Sequence, residues 1–209
     1  MIFWAAMRIF IPMKKTFLLL ILSICSYHVF SQATVPDFVP NLRYVGHIDT
    51  LLRNHVKQFD LIIAFRVHYG WKYESEYHLL VLNNGHWKKM NFHNKRGSLA
   101  KYDPPVTVPD RFKSEADSLY SKMLANNLLT IDDDDVYPTC SEVDTVINGR
   151  HRKFTVGIDN AAAYSFWFIR ADKTRQLYFY APEYFIQYCQ PYWDRRNAID
   201  IITLFTRNW

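Results

Sequence analysis

The residues best placed to do chemistry are Glu76, His78 and His93, which lie on either side of an Asn84-Gly85 pair. An Asn-Gly pair between two β-prone runs is typical of a two-residue type I′ turn, because both central residues need positive φ. Counting outward from that turn places Glu76 opposite His93, with His78 diagonally beside them on the same face. Two imidazoles and a carboxylate can hold a divalent metal ion. The spacing therefore yields a metal-site hypothesis, with an ordinary solvated sheet face as the alternative.

The same register divides the hairpin into two faces. On the face of the candidate metal site, Leu82 is opposite Trp87, Leu80 is opposite Lys89 and His78 is opposite Asn91. The other face is apolar and is the better candidate for the core: it holds Tyr77, Leu79, Val81, Met90 and Phe92. A slip of one residue would scatter the candidate ligands over both faces, so the metal hypothesis depends on this register.

Four consecutive aspartates occupy positions 132–135. Carboxylate oxygens are the ligands that calcium prefers, but the run lacks the glycine turn and the distant glutamate of an EF-hand loop. A solvated loop beside a helix end is the better interpretation. The patterns Gly-x-Ser-x-Gly and His-Glu-x-x-His are absent, and with six glycines the chain has no glycine-rich phosphate loop.

Two of the three cysteines, Cys140 and Cys189, remain once the N-terminal segment that contains Cys25 is removed. In an oxidising compartment an even pair indicates a single disulfide. Such a bridge would stabilise the fold by about 4 kcal/mol in a chain-entropy description. The alternative is two free thiols, in which case Cys140 is a candidate nucleophile near His151.

Aromatic residues are abundant, and most are expected in the core or in sheet packing. Trp71 and Tyr73 lie in the polar turn between Gly70 and Glu74, where exposure is expected. Exposed tryptophan and tyrosine offer a large rigid area for stacking on a sugar or anchoring a protein interface. These two residues form the predicted binding surface.

The N-terminus has the pattern of a secretory signal peptide. Met13-Lys14-Lys15 precedes the apolar run 17–24, as in bacterial leaders, and cleavage is expected between Ser31 and Gln32. Translation would then start at Met13. The apolar run is shorter than the ~20 residues of a bilayer span, so an uncleaved anchor is the weaker alternative and no stable membrane span is expected after cleavage.

The charge of the mature chain argues against nucleic-acid binding. Residues 1–31 contain Arg8, Lys14 and Lys15 and no acidic residue, so their removal leaves 22 basic and 20 acidic residues. A nearly neutral, exported chain lacks the basic footprint that a phosphate backbone requires. The predicted organisation is a leader over 1–31, an extended lead-in over 32–40 and a single globular domain over 41–209.

Apolar periodicity predicts alternating helices and hairpins. Helices are expected over 41–57, after Asp110, after Pro182 and at the C-terminus, where Ala198, Ile201, Ile202 and Phe205 form a buried stripe. A strand is expected over 60–69, a second Asn-Gly hairpin around 148–149, and a central strand, apolar on both faces, over 161–170. The fold class is α+β: an antiparallel sheet of six to seven strands built from hairpins, with helices packed on one face and a C-terminal helix.

These observations favour an exported protein, secreted or periplasmic, without catalytic activity. We expect a binding or inhibitory module for an envelope or extracellular macromolecule, with a protein or glycan partner and no cofactor. The alternative is a secreted hydrolase, either dependent on a divalent metal held by Glu76, His78 and His93 or working without that site. A third possibility is a protein anchored by an uncleaved N-terminus.

Overall fold

Twelve helices and strands make up the described part of the chain. The computed structural model describes residues 35–41, 48–70, 74–95, 104–109, 115–140, 142–189 and 193–209. The predicted leader and the predicted binding residues Trp71 and Tyr73 lie outside the described residues. The elements in chain order are α1 (Ile48–His55), β1 (Leu61–His68), β2 (Glu74–Asn83), β3 (His86–Lys95), β4 (Val106–Val108), α2 (Glu115–Ala125), β5 (Glu142–Ile147), β6 (Arg150–Thr155), β7 (Ala163–Ile169), β8 (Thr174–Tyr180), α3 (Pro182–Tyr188) and α4 (Trp193–Asn208).

Among the strands that the structure describes, six form one antiparallel sheet in the order β4-β3-β2-β1-β7-β8, and β5 pairs only with β6. Every strand pair in both sheets is antiparallel. Short links favour this arrangement, because consecutive strands joined by tight turns must run in opposite directions. The predicted α+β class, with an antiparallel sheet built from hairpins and a C-terminal helix, is confirmed.

The predicted register of the β2–β3 hairpin is confirmed. Asn84 and Gly85 both have positive φ, 51° and 76°, as the two-residue turn requires. Glu76 pairs with His93, and His78 pairs with Asn91. The turn residues alone therefore fixed which side chains share a face.

Both faces of this sheet are buried, whereas the sequence analysis identified one core face. Leu80 and Leu82 are 0% and 3% exposed, and they pack with residues of α2 and α4. Leu79 and Phe92, on the opposite face, pack with Leu52 of α1. The interpretation of this face as solvated is wrong at Leu80 and Leu82, which two amphipathic helices cover, whereas Glu76 and His93 on the same face are about half exposed.

Successive apolar residues explain why helices lie on both faces. Residues 61–65 of β1 are all 0% exposed, so each face of the strand must be covered by other side chains. As predicted, α2 and α4 pack on one face of the sheet, but α1 packs on the other. The central strand predicted over 161–170 is β7, which lies between β1 and β8.

The C-terminal helix is docked as predicted. Ala198, Ile201, Ile202 and Phe205 are all buried, and the Phe205 ring stacks on Phe65 of β1 at a centroid distance of 4.8 Å. A short strand, β4, follows Pro105, and Leu124 of α2 is 40% exposed. None of the described helices has the length and apolar character needed to span a membrane.

Candidate functional site

The candidate metal ligands lie at the predicted positions but face different surroundings. His93 Nε2 lies 3.7 Å from Glu76 Oε1, and both side chains are about half exposed. His78 instead directs Nδ1 to the Asn91 side chain at 3.2 Å. Its ring packs against Phe65 and Trp209, with centroid distances of 6.2 and 5.4 Å.

Burial lowers the pKa of His78, and the bond to Asn91 and the charge of Glu76 only partly oppose that effect. A neutral imidazole is therefore favoured at this position. Lys89, on the same face, is 3% exposed and contacts Glu115 of α2 at 3.1 Å. In the ranges that the structure describes, no three His, Cys, Asp or Glu side chains come together as a metal-binding group. The three-ligand metal site stays a prediction.

Cys140 and Cys189 form a disulfide, with their Cα atoms 5.5 Å apart. Their pairing removes Cys140 as a candidate nucleophile, because only a thiolate attacks a substrate. The bridge joins the chain just before β5 to the C-terminal end of α3. It therefore serves a structural purpose at the base of the β5–β6 hairpin.

The acidic run over 132–135 is solvated only in part, since Asp135 is exposed whereas the side chains of Asp133 and Asp134 are not. Asp133 is 2% exposed, and its Oδ2 accepts a hydrogen bond from the backbone N–H of Tyr178 at 2.8 Å. Asp134 accepts one from Tyr180 N–H at 2.7 Å and pairs with Arg195 at 2.9 Å. Burial raises the pKa of Asp134, and the contacts with Tyr180 and Arg195 oppose that rise.

These aspartates seal the outer edge of β8, the last strand of the main sheet. Asp134 also donates its own backbone N–H to the Tyr178 carbonyl at 3.2 Å. Asn41 continues the seal: its amide oxygen accepts from Gln176 N–H at 3.0 Å and its amide nitrogen donates to the Gln176 carbonyl. An unsealed edge is a template for pairing with another strand. The carboxylates are thus acceptors for backbone groups.

A cavity of about 370 Å³ lies beside this sealed edge. Its charged groups are already engaged: Asp133 with Tyr178, and Arg175 with the Ile131 carbonyl at 2.5 Å and with Asp132 at 3.9 Å. None of the candidate metal ligands lines it. The lining residues are Val39, Pro40, Asn41, Thr130, Asp132, Asp133, Val136, Arg175 and Leu177.

The β5–β6 hairpin, residues 142–155, is a different kind of surface, and we call it the arm. All six residues of β6 are exposed, and neither strand pairs with the main sheet. Three large apolar side chains are in contact with solvent: Val146, Ile147 and Phe154 are 58%, 39% and 45% exposed. Both faces of β6 are thus in contact with solvent, whereas Val143 of β5 is partly buried.

The base of the arm is held firmly. The disulfide fixes residue 140 just before β5, and after β6 the Tyr180 hydroxyl donates to the Ile158 carbonyl at 2.7 Å. Tyr184 donates to the Gly157 carbonyl at 3.1 Å. Val156 is buried with residues of α3 in a small satellite cluster. A hairpin with so little buried surface needs such support, because an isolated two-stranded hairpin is marginally stable in water.

The charges of the arm are divided between its strands. β6 contains Arg150, His151, Arg152 and Lys153 in succession, whereas β5 contains Glu142 and Asp144. Lys153 lies 3.3 Å from Glu142. Within the described part of the chain, no hydrogen bond or ion pair of the Arg150 or Arg152 side chain is found. One face of β6 therefore presents two uncompensated guanidinium groups.

The Asn148-Gly149 pair predicts this hairpin, but its strands were not among the predicted site residues. The missed signal is the run Arg150–Lys153, in which polar residues occupy both faces of a predicted strand. A strand with one buried face alternates between apolar and polar residues, and β6 does not.

No family model, curated protein or solved structure matches this chain.

Proposed function

We propose that this chain is an exported, non-catalytic protein that binds a macromolecule of the cell envelope or its surroundings through the arm. The observation that carries the proposal is the combination of exposure and fixation: β6 is exposed on both faces, and the two ends of the arm are held by the disulfide and by two tyrosine hydroxyls. Fixing a surface before binding reduces the entropy lost on association.

The apolar side chains of the arm offer binding energy that the fold does not use. Full burial of a Val, Ile or Phe side chain is worth about 1.5–3 kcal/mol. Because Val146, Ile147 and Phe154 are each roughly half exposed, a partner that covers them gains on the order of 3 kcal/mol. Arg150 and Arg152 add charge-assisted hydrogen bonds, so the partner surface should be acidic.

Export is supported by the leader pattern and by the disulfide, since disulfides persist in oxidising compartments. The secreted or periplasmic localisation is part of the proposal. A mass measurement on protein purified from an exporting host tests it. We expect a chain that begins at Gln32 and is two hydrogens lighter than the reduced form; retention of Met13 would contradict cleavage.

Site-specific photo-crosslinking in the exporting cell tests the role of the arm. A benzophenone amino acid at position 146 or 147 should give the same discrete adduct, because the two side chains lie beside the turn on opposite faces of the arm and a partner bound there is within reach of both. Val106 and Leu124 are matched control positions, since their exposures of 60% and 40% are close to the 58% and 39% of Val146 and Ile147. Equal adducts at arm and control positions, or none at any, would refute the proposal.

A further inference from the structure

The outer edges of strands β8 and β6 differ in whether side chains bond to their backbone groups. The outer edge of β8 is sealed by the side chains of Asn41, Asp133 and Asp134. The outer edge of β6 lacks such cover in the part of the chain that the structure describes. Among the described residues, no backbone or side-chain group outside the arm bonds to the backbone of β6.

The register identifies the free backbone groups. The pair that closes a two-residue turn, here Ile147 and Arg150, exchanges hydrogen bonds, and such pairs alternate along the ladder. The backbone groups of Arg150, Arg152 and Phe154 therefore point toward β5. Those of His151, Lys153 and Thr155 point outward and are available to a further strand.

The side chains around this edge select the charge of an incoming strand. Arg150 and Arg152 project from one face of β6 and His151 and Lys153 from the other, so a strand laid beside β6 meets basic groups on both faces. Like charges on neighbouring strands are destabilising and opposite charges are stabilising. The edge therefore rejects a second copy of β6 and favours an acidic strand.

We infer that the free edge of β6 binds an extended, acidic segment of a partner protein by strand addition. The inference rests on the proposed function, and it names the partner's chemistry and the atoms that hold it. Backbone hydrogen bonds to His151, Lys153 and Thr155 supply affinity, and the arginines supply specificity. The disulfide and the tyrosine hydroxyls at the base hold the edge ready for pairing.

The acidic β5 edge of a second copy is the alternative occupant, and two features disfavour it. Glu142 already contacts Lys153 within the same arm at 3.3 Å. A β6-to-β5 contact between copies is also heterologous, so it would build a ring or an open filament instead of a closed dimer. Concentration-dependent self-association of the isolated protein through the arm would overturn the inference.

A peptide titration tests the inference on the disulfide-bonded chain from Gln32 to Trp209. The probe is a labelled seven-residue peptide that alternates glutamate with valine, followed by fluorescence anisotropy. A lysine–valine peptide is the charge control. The glutamate peptide N-methylated at every second residue keeps its charge and loses the backbone donors of one edge. We expect each control to bind at least tenfold more weakly than the probe.

Variants of the protein separate strand pairing from general attraction. R150E/R152E should weaken peptide binding at least tenfold, whereas K57E/K122E, an equal change in net charge at exposed positions, should alter it less than twofold. Lys153→Pro removes an outward N–H without breaking a bond to β5, and should weaken binding at least tenfold. Lys153→Thr removes the same charge but keeps the backbone N–H, so its affinity for the peptide should stay within about threefold of that of the unmodified protein.

The outcomes distinguish this inference from the proposed function. If the methylated and unmethylated peptides bound equally, or if the two charge-reversal variants had equal effects, charge attraction alone would explain the binding. Either result would overturn strand addition. Absence of peptide binding together with an arm-specific crosslink to a glycan would overturn the inference and leave the proposed function standing. Absence of both peptide binding and an arm-specific crosslink would overturn both.

Discussion

Two Asn-Gly hairpins in this molecule share a turn and differ in almost everything else. Asn84 and Asn148 have φ of 51° and 52°, and Gly85 and Gly149 have φ of 76° and 73°. The β2–β3 hairpin lies within the main sheet and is covered by helices on both faces, whereas the β5–β6 arm is exposed on both. The turn residues therefore specify a hairpin and its register, whereas packing determines whether the hairpin lies in the core or forms a contact surface.

The largest expected difference concerns two phenylalanines, one in the second strand of each hairpin. Phe92 in β3 is 0% exposed, and Phe154 in β6 is 45% exposed. Phe92→Ala should lower the free energy of unfolding by about 4 kcal/mol, because it leaves a cavity in the core. Phe154→Ala should lower it by about 1 kcal/mol or less. Urea denaturation measures both, and similar losses would refute the contrast.

The second difference concerns what holds each hairpin in place. Replacing Cys140 and Cys189 by serine should cost about 2–4 kcal/mol of global stability. Hydrogen exchange should show the amides over 142–155 nearly unprotected, while those of the β2–β3 hairpin still exchange through global unfolding. Arm amides that kept their protection in this variant would show that the disulfide does not support the arm.

The third difference is in the response to pH. Burial, aided by the positive charge of Arg66, lowers the pKa of His68 on β1 from 6.5 to about 4. Unfolded His68 thus binds a proton before folded His68 does, so its stabilising contribution is complete above pH 6.5 and is lost as the pH falls toward 4.

Because His68 is only partly buried, we expect this loss of stability to be about 1–2 kcal/mol. Denaturation curves at pH 7 and pH 4.5 measure this loss, and His68→Asn should make the free energy of unfolding less dependent on pH. The change in pKa of His78 has the same sign. His151→Asn in the exposed arm is the control variant. If it reduced the pH dependence of stability as much as His68→Asn does, burial of His68 would not be the cause of that dependence.

The smallest expected effects concern the two turn glycines. An L-residue in the left-handed region costs about 1 kcal/mol, and a Cβ at Gly149 would meet no atom within 4 Å, so strain is the main cost there. Gly85→Ala should lower global stability by about 1 kcal/mol. Gly149→Ala should lower it by less than about 0.5 kcal/mol, because the arm can open locally. Equal global losses, measured by urea denaturation, would mean that the arm unfolds together with the sheet.

The sequence alone determined the local structure. The Asn-Gly pairs placed both hairpin turns, and the register of β2–β3 followed from counting residues outward. The periodicity of Ala198, Ile201 and Ile202 predicted the buried stripe of the last helix, and the two remaining cysteines predicted the disulfide. Each of these depends on a few neighbouring residues or on the count of one residue type, so short-range patterns suffice.

Only the tertiary structure decided which surfaces are covered. The Leu80 face is buried because α2 and α4, far along the chain, fold over it, and no periodicity within β2 or β3 encodes that contact. Asp133 and Asp134 are buried because the chain brings them against the edge of β8, more than 40 residues away. The arm is exposed because no described element covers it. Burial is a property of the whole packing, which is why the candidate site emerged from the structure while its turn was already evident in the sequence.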